Sequence, residues 1–266
     1  MVPKTIRVPL QVSKLLKVFC KEIKAVLNGK FVALYIFGSL GMGDFSEHQS
    51  DVDFLVLISS PLSDIEGKRL QAMHNKLRAT RFGNKLEGEY VAISALHAEG
   101  ARGTVARCEG GTLELNAQSQ LSAENMLDIR QNAYVVYGPD PKGVIPHIPR
   151  KSVKEIMRNY LKELNEELKH VEPKSLNWLS SRVLDICRTL YTLKTGKITS
   201  KSAGAKWALR ALSSEWKILI SRSLAVRSGS SKEDDKTFIA EILPRFVNYA
   251  LSYHLKHQRL DAEHAK

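Results

Sequence analysis

Phe31-Val32-Ala33-Leu34-Tyr35-Ile36-Phe37-Gly38-Ser39, followed by Ser50-Asp51-Val52-Asp53-Phe54-Leu55-Val56-Leu57-Ile58, is the stretch that decides the fold. Both halves contain short apolar runs rich in β-branched and aromatic residues, which read as buried strands. One run ends on Gly-Ser and the other opens on paired acids. On a strand, Asp51 and Asp53 project to one side and Val52 to the other. Neighbouring carboxylates repel, and a divalent cation that prefers hard oxygen, most often Mg²⁺, offsets the repulsion when a triphosphate supplies its remaining ligands. Such a site can hold two ions, one acting on the attacking hydroxyl and one on the leaving pyrophosphate. Gly38 lets the backbone approach a phosphate, Ser39 adds a hydroxyl, and a helix starting near Ser39 would add free N–H groups. Gly-Ser alone is usually a turn, and Asp-x-Asp alone is often an exposed strand end. Their joint order within two strands points to nucleotide chemistry.

The next strand-like run, Lys85-Leu86-Glu87-Gly88-Glu89-Tyr90-Val91-Ala92-Ile93, carries acids at alternate positions. Glu87 and Glu89 therefore share a face. Either can reach the metal cluster or accept the proton of an acceptor hydroxyl, while solvated edge charge is the structural alternative.

Gly-Ser followed by Asp-x-Asp on neighbouring strands resembles the signature of the polymerase-β-like nucleotidyltransferase superfamily. Leu86-Glu87-x-x-Tyr90-Val91 resembles the acid-bearing third strand of the aminoglycoside 3''-adenylyltransferases, the streptomycin and spectinomycin family. In the second half, Ser181-Arg182-Val183-Leu184-Asp185-Ile186-Cys187-Arg188-Thr189-Leu190-Tyr191, Thr195-Gly196-Lys197-Ile198, Ser200-Lys201 and Trp207-Ala208 resemble that family's C-terminal helical domain. The resemblance implies an α/β (α+β) nucleotidyltransferase domain with a small mixed sheet, followed by an all-α helical bundle, with the active site between them. It implies transfer of AMP from ATP to a hydroxyl of a small molecule, with a streptomycin- or spectinomycin-like aminoglycoside as acceptor and pyrophosphate as product. It assigns Asp51, Asp53 and Glu87 to Mg²⁺ and catalysis, with Glu87 as the base and Glu89 in reserve. Gly38, Ser39 and Ser50 go to phosphate oxygens, Arg188 and Lys201 to the triphosphate, and Tyr249 beside the nucleotide. The chain departs from the family at the acceptor: residues 91–150 contain no Trp where the family places an acceptor-contacting one, and an expected acid falls near Leu121. Glu99, Glu109 and Glu114 are the acids available to line a pocket for a polycation. Alternative readings are a nucleotidyltransferase acting on a protein side chain or RNA end, and a non-catalytic nucleotide-binding regulator.

At 266 residues and 43% apolar content the chain is long enough for one large or two small cores. No apolar run approaches the length of a membrane span, and residues 1–12 lack a signal-peptide pattern. Cys20, Cys108 and Cys187 are too scattered for a disulfide framework or zinc site, which fits a reduced, cytoplasmic protein. The net charge of +12 is uneven: residues 150–266 hold 23 Lys and Arg against 13 Asp and Glu. Those cations are interspersed with acids, as in Lys162-Glu163, and lack aromatic interleaving, so a triphosphate is a better partner than nucleic acid. A monomer or small homo-oligomer is expected.

Helical spacing is expected over 12–27 and 63–80, and a mobile glycine-rich loop over 99–113. Gly138-Pro139-Asp140-Pro141, running on to Pro149, marks a boundary between domains at 1–149 and 150–266. Beyond it, helices are predicted over 152–171, 175–194, 202–212, 215–226 and 232–256. Pro173 and Gly196 act as breakers, Trp207 and Trp216 as packing residues, and the last ten residues as a frayed end.

Overall fold

The computed structural model describes residues 8–47, 49–170 and 174–263. The chain forms two compact units, Met1–Pro149 and Arg150–Lys266.

The first unit opens with α1 (Leu10–Leu27), whose Val12, Leu15, Leu16, Phe19, Ile23 and Leu27 recur at helical spacing and are all buried. β1 (Phe31–Ile36), the short α2 (Gly38–Met42) and β2 (Val52–Ile58) follow. α3 (Asp64–Arg78) then crosses to β3 (Leu86–Ala92), which runs parallel to β2. Ser63 is the N-cap of α3, in a reciprocal capping box with Glu66. Glu66 also accepts from Lys30 Nζ at 2.8 Å, and that bond, with the Ser63 amide, holds its carboxyl down to about 2. A small ribbon of β4 (Leu96–His97) and β5 (Gly100–Ala101) precedes a hairpin of β6 (Thr104–Glu109) and β7 (Thr112–Gln118). α4 (Ala123–Asn132), β8 (Tyr134–Tyr137) and α5 (Pro141–Val144) complete the unit.

The main sheet is mixed, in the order β7-β6-β3-β2-β1-β8, with β2 and β3 as its parallel pair. α1 and α3 bury their apolar faces with Leu34, Ile36, Phe54, Val56 and Tyr90 of the central strands in one core. Under β3 lies a buried polar set: His74 Nε2 hydrogen-bonds Tyr90 Oη at 2.9 Å, and its Nδ1 lies 3.4 Å from Cys108 Sγ. Burial holds the His74 ring down to about 4 and pushes the Cys108 thiol up to about 12, so both are neutral there.

Residues 99–113 correct the loop expected from their glycines. They supply β5, β6 and the start of β7, with Gly110 and Gly111 in the hairpin turn, both at positive φ. The glycines punctuate strands, and β6 pairs antiparallel with β3 (Gly88 opposite Cys108, Glu89 opposite Arg107).

The second unit contains α6 (Arg150–Glu167), α7 (Leu176–Thr195), α8 (Lys201–Ala211), α9 (Lys217–Arg227) and α10 (Asp235–Glu263). α7 packs against each of the other four, and its Val183, Leu184, Ile186, Cys187 and Leu190 are all buried. It ends at Gly196, where φ is +71° and the amide donates to Thr192 O at 2.7 Å. Val171 and Pro173, expected to end and separate the first two helices, lie outside the described residues. Of the last ten residues, expected to fray, 257–263 are drawn as the end of α10, and 264–266 lie outside the described residues. Trp216 is buried against Phe246 and Tyr249, and Trp207 packs edge-on to Tyr191, so both act in packing.

Candidate active site

Parallel pairing of β2 with β3 sets Asp53 directly opposite Glu87. Asp51 lies one residue ahead of β2, which begins at Val52, and it is exposed. Glu87 is half-buried, and its carboxyl is held above the usual range by burial, then by the negative charges of Asp51 and Glu109. The three acids of the sequence analysis therefore share one end of the β2–β3 pair. A cleft of about 200 Å³ opens there, and its lining includes Asp53, Glu87, Glu89, Glu109, Arg107 and Asn125.

Gly38 follows β1 at this same end. Its φ is +62°, and a Cβ built on it would stand 2.1 Å from Asp53 Oδ2. The residue is thus required by the approach of Asp53 as well as by the turn. Its amide donates to Asp128 Oδ2 at 2.8 Å, and Asn132 Nδ2 donates to the other oxygen, Oδ1, at 2.8 Å. The first amide of α2 is consequently engaged by a buried carboxylate from α4. Ser39 is different: its Oγ is buried and has no hydrogen-bond partner among the described residues. That hydroxyl is the donor in this turn suited to an incoming oxygen ligand. Ser50 is buried, and its Oγ accepts from the Ser46 amide at 3.0 Å, which closes the loop between α2 and β2. Lys85 reinforces the loop by donating to Glu47 O at 2.9 Å and Ser50 O at 3.1 Å.

Gly38→Ala is expected to destabilise the fold by about 1–3 kcal/mol, from the left-handed backbone penalty plus collision with Asp53. The midpoint of urea unfolding measures it, and an unchanged midpoint would mean that the turn relaxes freely.

Glu89 and Glu87 part company in their surroundings. Glu89 is buried, with Oε2 accepting from Ser119 Oγ at 2.6 Å and Oε1 from the Gln120 amide at 2.5 Å. Both oxygens tie down the segment between β7 and α4, which puts Gln120, Leu121 and Asn125 along the cleft. Of the acids suggested for an acceptor pocket, Glu109 lines the cleft. Glu114 pairs with Arg107 at 3.3 Å, and Glu99 pairs with Arg102 at 3.4 Å. The cleft is acidic despite the basic chain.

Among the described residues, no three His, Cys, Asp or Glu side chains form a preassembled metal cage. Mg²⁺ does not require one: it keeps several waters and is held by one or two carboxylates plus substrate phosphates. The hard oxygens of Asp51 and Asp53 fit that ion.

In the second unit, Arg188 Nε lies 2.9 Å and Lys201 Nζ 3.5 Å from the carboxylate of Asp185. Tyr249 is half-buried in an aromatic row with Trp216 and Tyr253. Sequence reasoning singled out neither Asp128, which holds the Gly38 amide, nor Asp185, which holds Arg188 and Lys201. Asp128 looks like an ordinary polar position of a short helix, and its contact with Gly38 spans 90 residues. Asp185 had a signal, since an acid at three-residue spacing from Arg182 and Arg188 places the three near one another on a helix.

Two family models match the chain: "Nucleotidyltransferase domain" over residues 12–89 and "Aminoglycoside adenylyltransferase, C-terminal domain" over residues 143–252. The chain is 26% identical over 246 residues to a spectinomycin 9-adenylyltransferase of Staphylococcus aureus, covering 86% of this chain and 88% of the relative. It is 23% identical over 249 residues to the spectinomycin 9-adenylyltransferase of Campylobacter jejuni, covering 88% and 91%. A crystal structure of an Enterococcus spectinomycin adenyltransferase with ATP and spectinomycin has a similar fold. Its TM-score is 0.62 at 19% identity, over 89% of this chain and 99% of that one.

Proposed function

We infer, from a chain that belongs to the aminoglycoside adenylyltransferase family of nucleotidyltransferases, that this enzyme transfers AMP from ATP to a hydroxyl of spectinomycin or a closely similar acceptor. The observation that carries the reading is the in-register pair of Asp53 and Glu87, with Asp51 acting on the same carboxyl and Gly38-Ser39 beside it. An ordinary binding cleft has no need of three acids at one strand end.

In this reading Asp51 and Asp53 offer oxygen ligands to Mg²⁺, which when bound lowers the pKa of the attacking hydroxyl and stabilises the charge of the departing pyrophosphate. Ser39 donates to a phosphate oxygen, and Ser50 holds the loop that carries Asp51. Glu87 accepts the proton of the acceptor hydroxyl as that oxygen bonds to the α-phosphorus; the bond to the bridging oxygen breaks, and pyrophosphate leaves. Arg188 and Lys201 neutralise the triphosphate tail, and Tyr249 packs beside the nucleotide. The acidic wall of Glu87, Glu89 and Glu109 favours a cationic acceptor, which fits spectinomycin-type amines.

A screen of hydroxylated acceptors with labelled ATP and Mg²⁺ tests this function. Spectinomycin should take up label. Label on tRNA or on a protein, with none on small acceptors, would overturn the reading.

A further inference from the structure

Three cations converge on one buried acid in the second unit. Asp185, in the middle of α7, has only 5% of its side chain exposed. Arg188 Nε lies 2.9 Å from its Oδ1, while Arg182 Nη1 and Lys201 Nζ each lie 3.5 Å from its Oδ2. Arg182, Asp185 and Arg188 follow one another at three-residue spacing along a helix face. Lys201 arrives from another element, as the first residue of α8 after the N-cap Ser200, whose Oγ accepts from the Ala203 amide at 3.2 Å. The approach is close because Gly204 has no side chain: a Cβ there would stand 2.8 Å from the Arg188 Cα. Lys201 also donates to Ser181 Oγ, and Arg182 donates to Tyr160 Oη of α6 at 3.3 Å.

We propose that Asp185 is the positioning residue of the triphosphate clamp, holding the Arg188 and Lys201 side chains in place before nucleotide binds. This rests on the reading of Arg188 and Lys201 as triphosphate ligands. One carboxylate among three cations leaves the cluster net positive, so it retains attraction for a polyanion. Without the carboxylate the three cations repel one another, and the long Arg and Lys chains swing apart into separate rotamers. Asp185 removes that entropy cost from nucleotide binding, as preorganisation does in general.

A plain structural tie between α7 and α8 would make no such demand on ATP, and Lys201 separates the two roles. Its ammonium is held below the usual lysine range by burial; Asp185 opposes that shift, while Arg188, Arg182 and Arg227 add to it. The groups facing it are thus Asp185, Arg182, Arg188 and the Ser181 hydroxyl from α7 and Arg227 from α9, with Tyr160 of α6 reaching the cluster through Arg182. Loss of the Asp185 charge lowers the lysine pKa further, so the charged form needed for phosphate binding is lost at lower pH.

The test is calorimetric titration of Mg-ATP into the full chain from neutral to alkaline pH, for wild type, Asp185→Asn, Asp185→Glu and Lys201→Met. Asp185→Asn should weaken binding about tenfold at neutral pH and move its alkaline fall-off to lower pH. Asp185→Glu keeps the charge but displaces it, so it should weaken binding about threefold with the fall-off unmoved; it carries the test if Asp185→Asn fails to fold. Wild-type affinity in Asp185→Glu, or in a folded Asp185→Asn with an unmoved fall-off, overturns the proposal. If Lys201→Met still weakens binding in that case, the clamp stands and only the role of Asp185 falls. If Lys201→Met also binds like wild type, the reading of the clamp falls with it.

Discussion

Asp53→Asn is expected to slow AMP transfer by at least about a hundredfold while leaving the protein folded. Asparagine matches the aspartate in shape, and the backbone bond from the Phe37 amide to Asp53 O, 3.0 Å long, does not depend on the side chain. What disappears is one negative charge that faces Glu87 across the parallel pair and presses against Gly38. Removing one of several like charges relieves repulsion in the folded state, so the melting temperature should hold or rise. In the proposed role of Asp53, catalysis loses an oxygen ligand for the ion that offsets developing phosphate charge, an effect of roughly 10²–10³ for single groups of this kind. Steady-state rates and thermal melts on the purified variant measure both. A variant that forms pyrophosphate at the wild-type rate would remove Asp53 from the metal site.

Glu87→Gln should lower kcat by about 10²–10⁴, the span of general base catalysis, with ATP affinity changed by less than about threefold. In the proposed role the ionised carboxylate accepts the proton, so the wild-type rate should fall as pH drops through the Glu87 pKa. The glutamine variant should lack that acid limb. Glu89→Gln is the comparison: both of its oxygens are occupied by Ser119 and Gln120, so its loss should act on acceptor KM through the loop and much less on kcat. If Glu89→Gln abolishes turnover while Glu87→Gln only weakens ATP binding, the roles are reversed.

The parts of the site carried by local pattern were legible in the sequence. Gly-Ser after one strand and Asp-x-Asp at the head of the next could be read because strand periodicity and the turn residue are properties of neighbouring positions. The order of helices in the second half followed in the same way from apolar spacing and from Gly196. Asp128 on Gly38 escaped because a contact across 90 residues has no local signature. The β6–β7 hairpin escaped because its glycines were weighed as flexibility, when strand pairing confines them to turns. Gly38 itself was legible for only half its reason. The turn was visible, whereas the Asp53 carboxylate filling the place of a Cβ depends on how β1 and β2 pair.

Everything proposed for Asp51, Asp53 and Glu87 requires that the α-phosphate, with its adenosine, move to the acceptor. The direct measurement incubates the enzyme with Mg²⁺, spectinomycin and ATP labelled at either the α- or the γ-phosphate, and follows each label. AMP transfer should put α-label on the antibiotic and γ-label in pyrophosphate, in equal amounts, with both lost in Asp53→Asn. Recovery of γ-label on the acceptor, or of ADP in place of pyrophosphate, would contradict it.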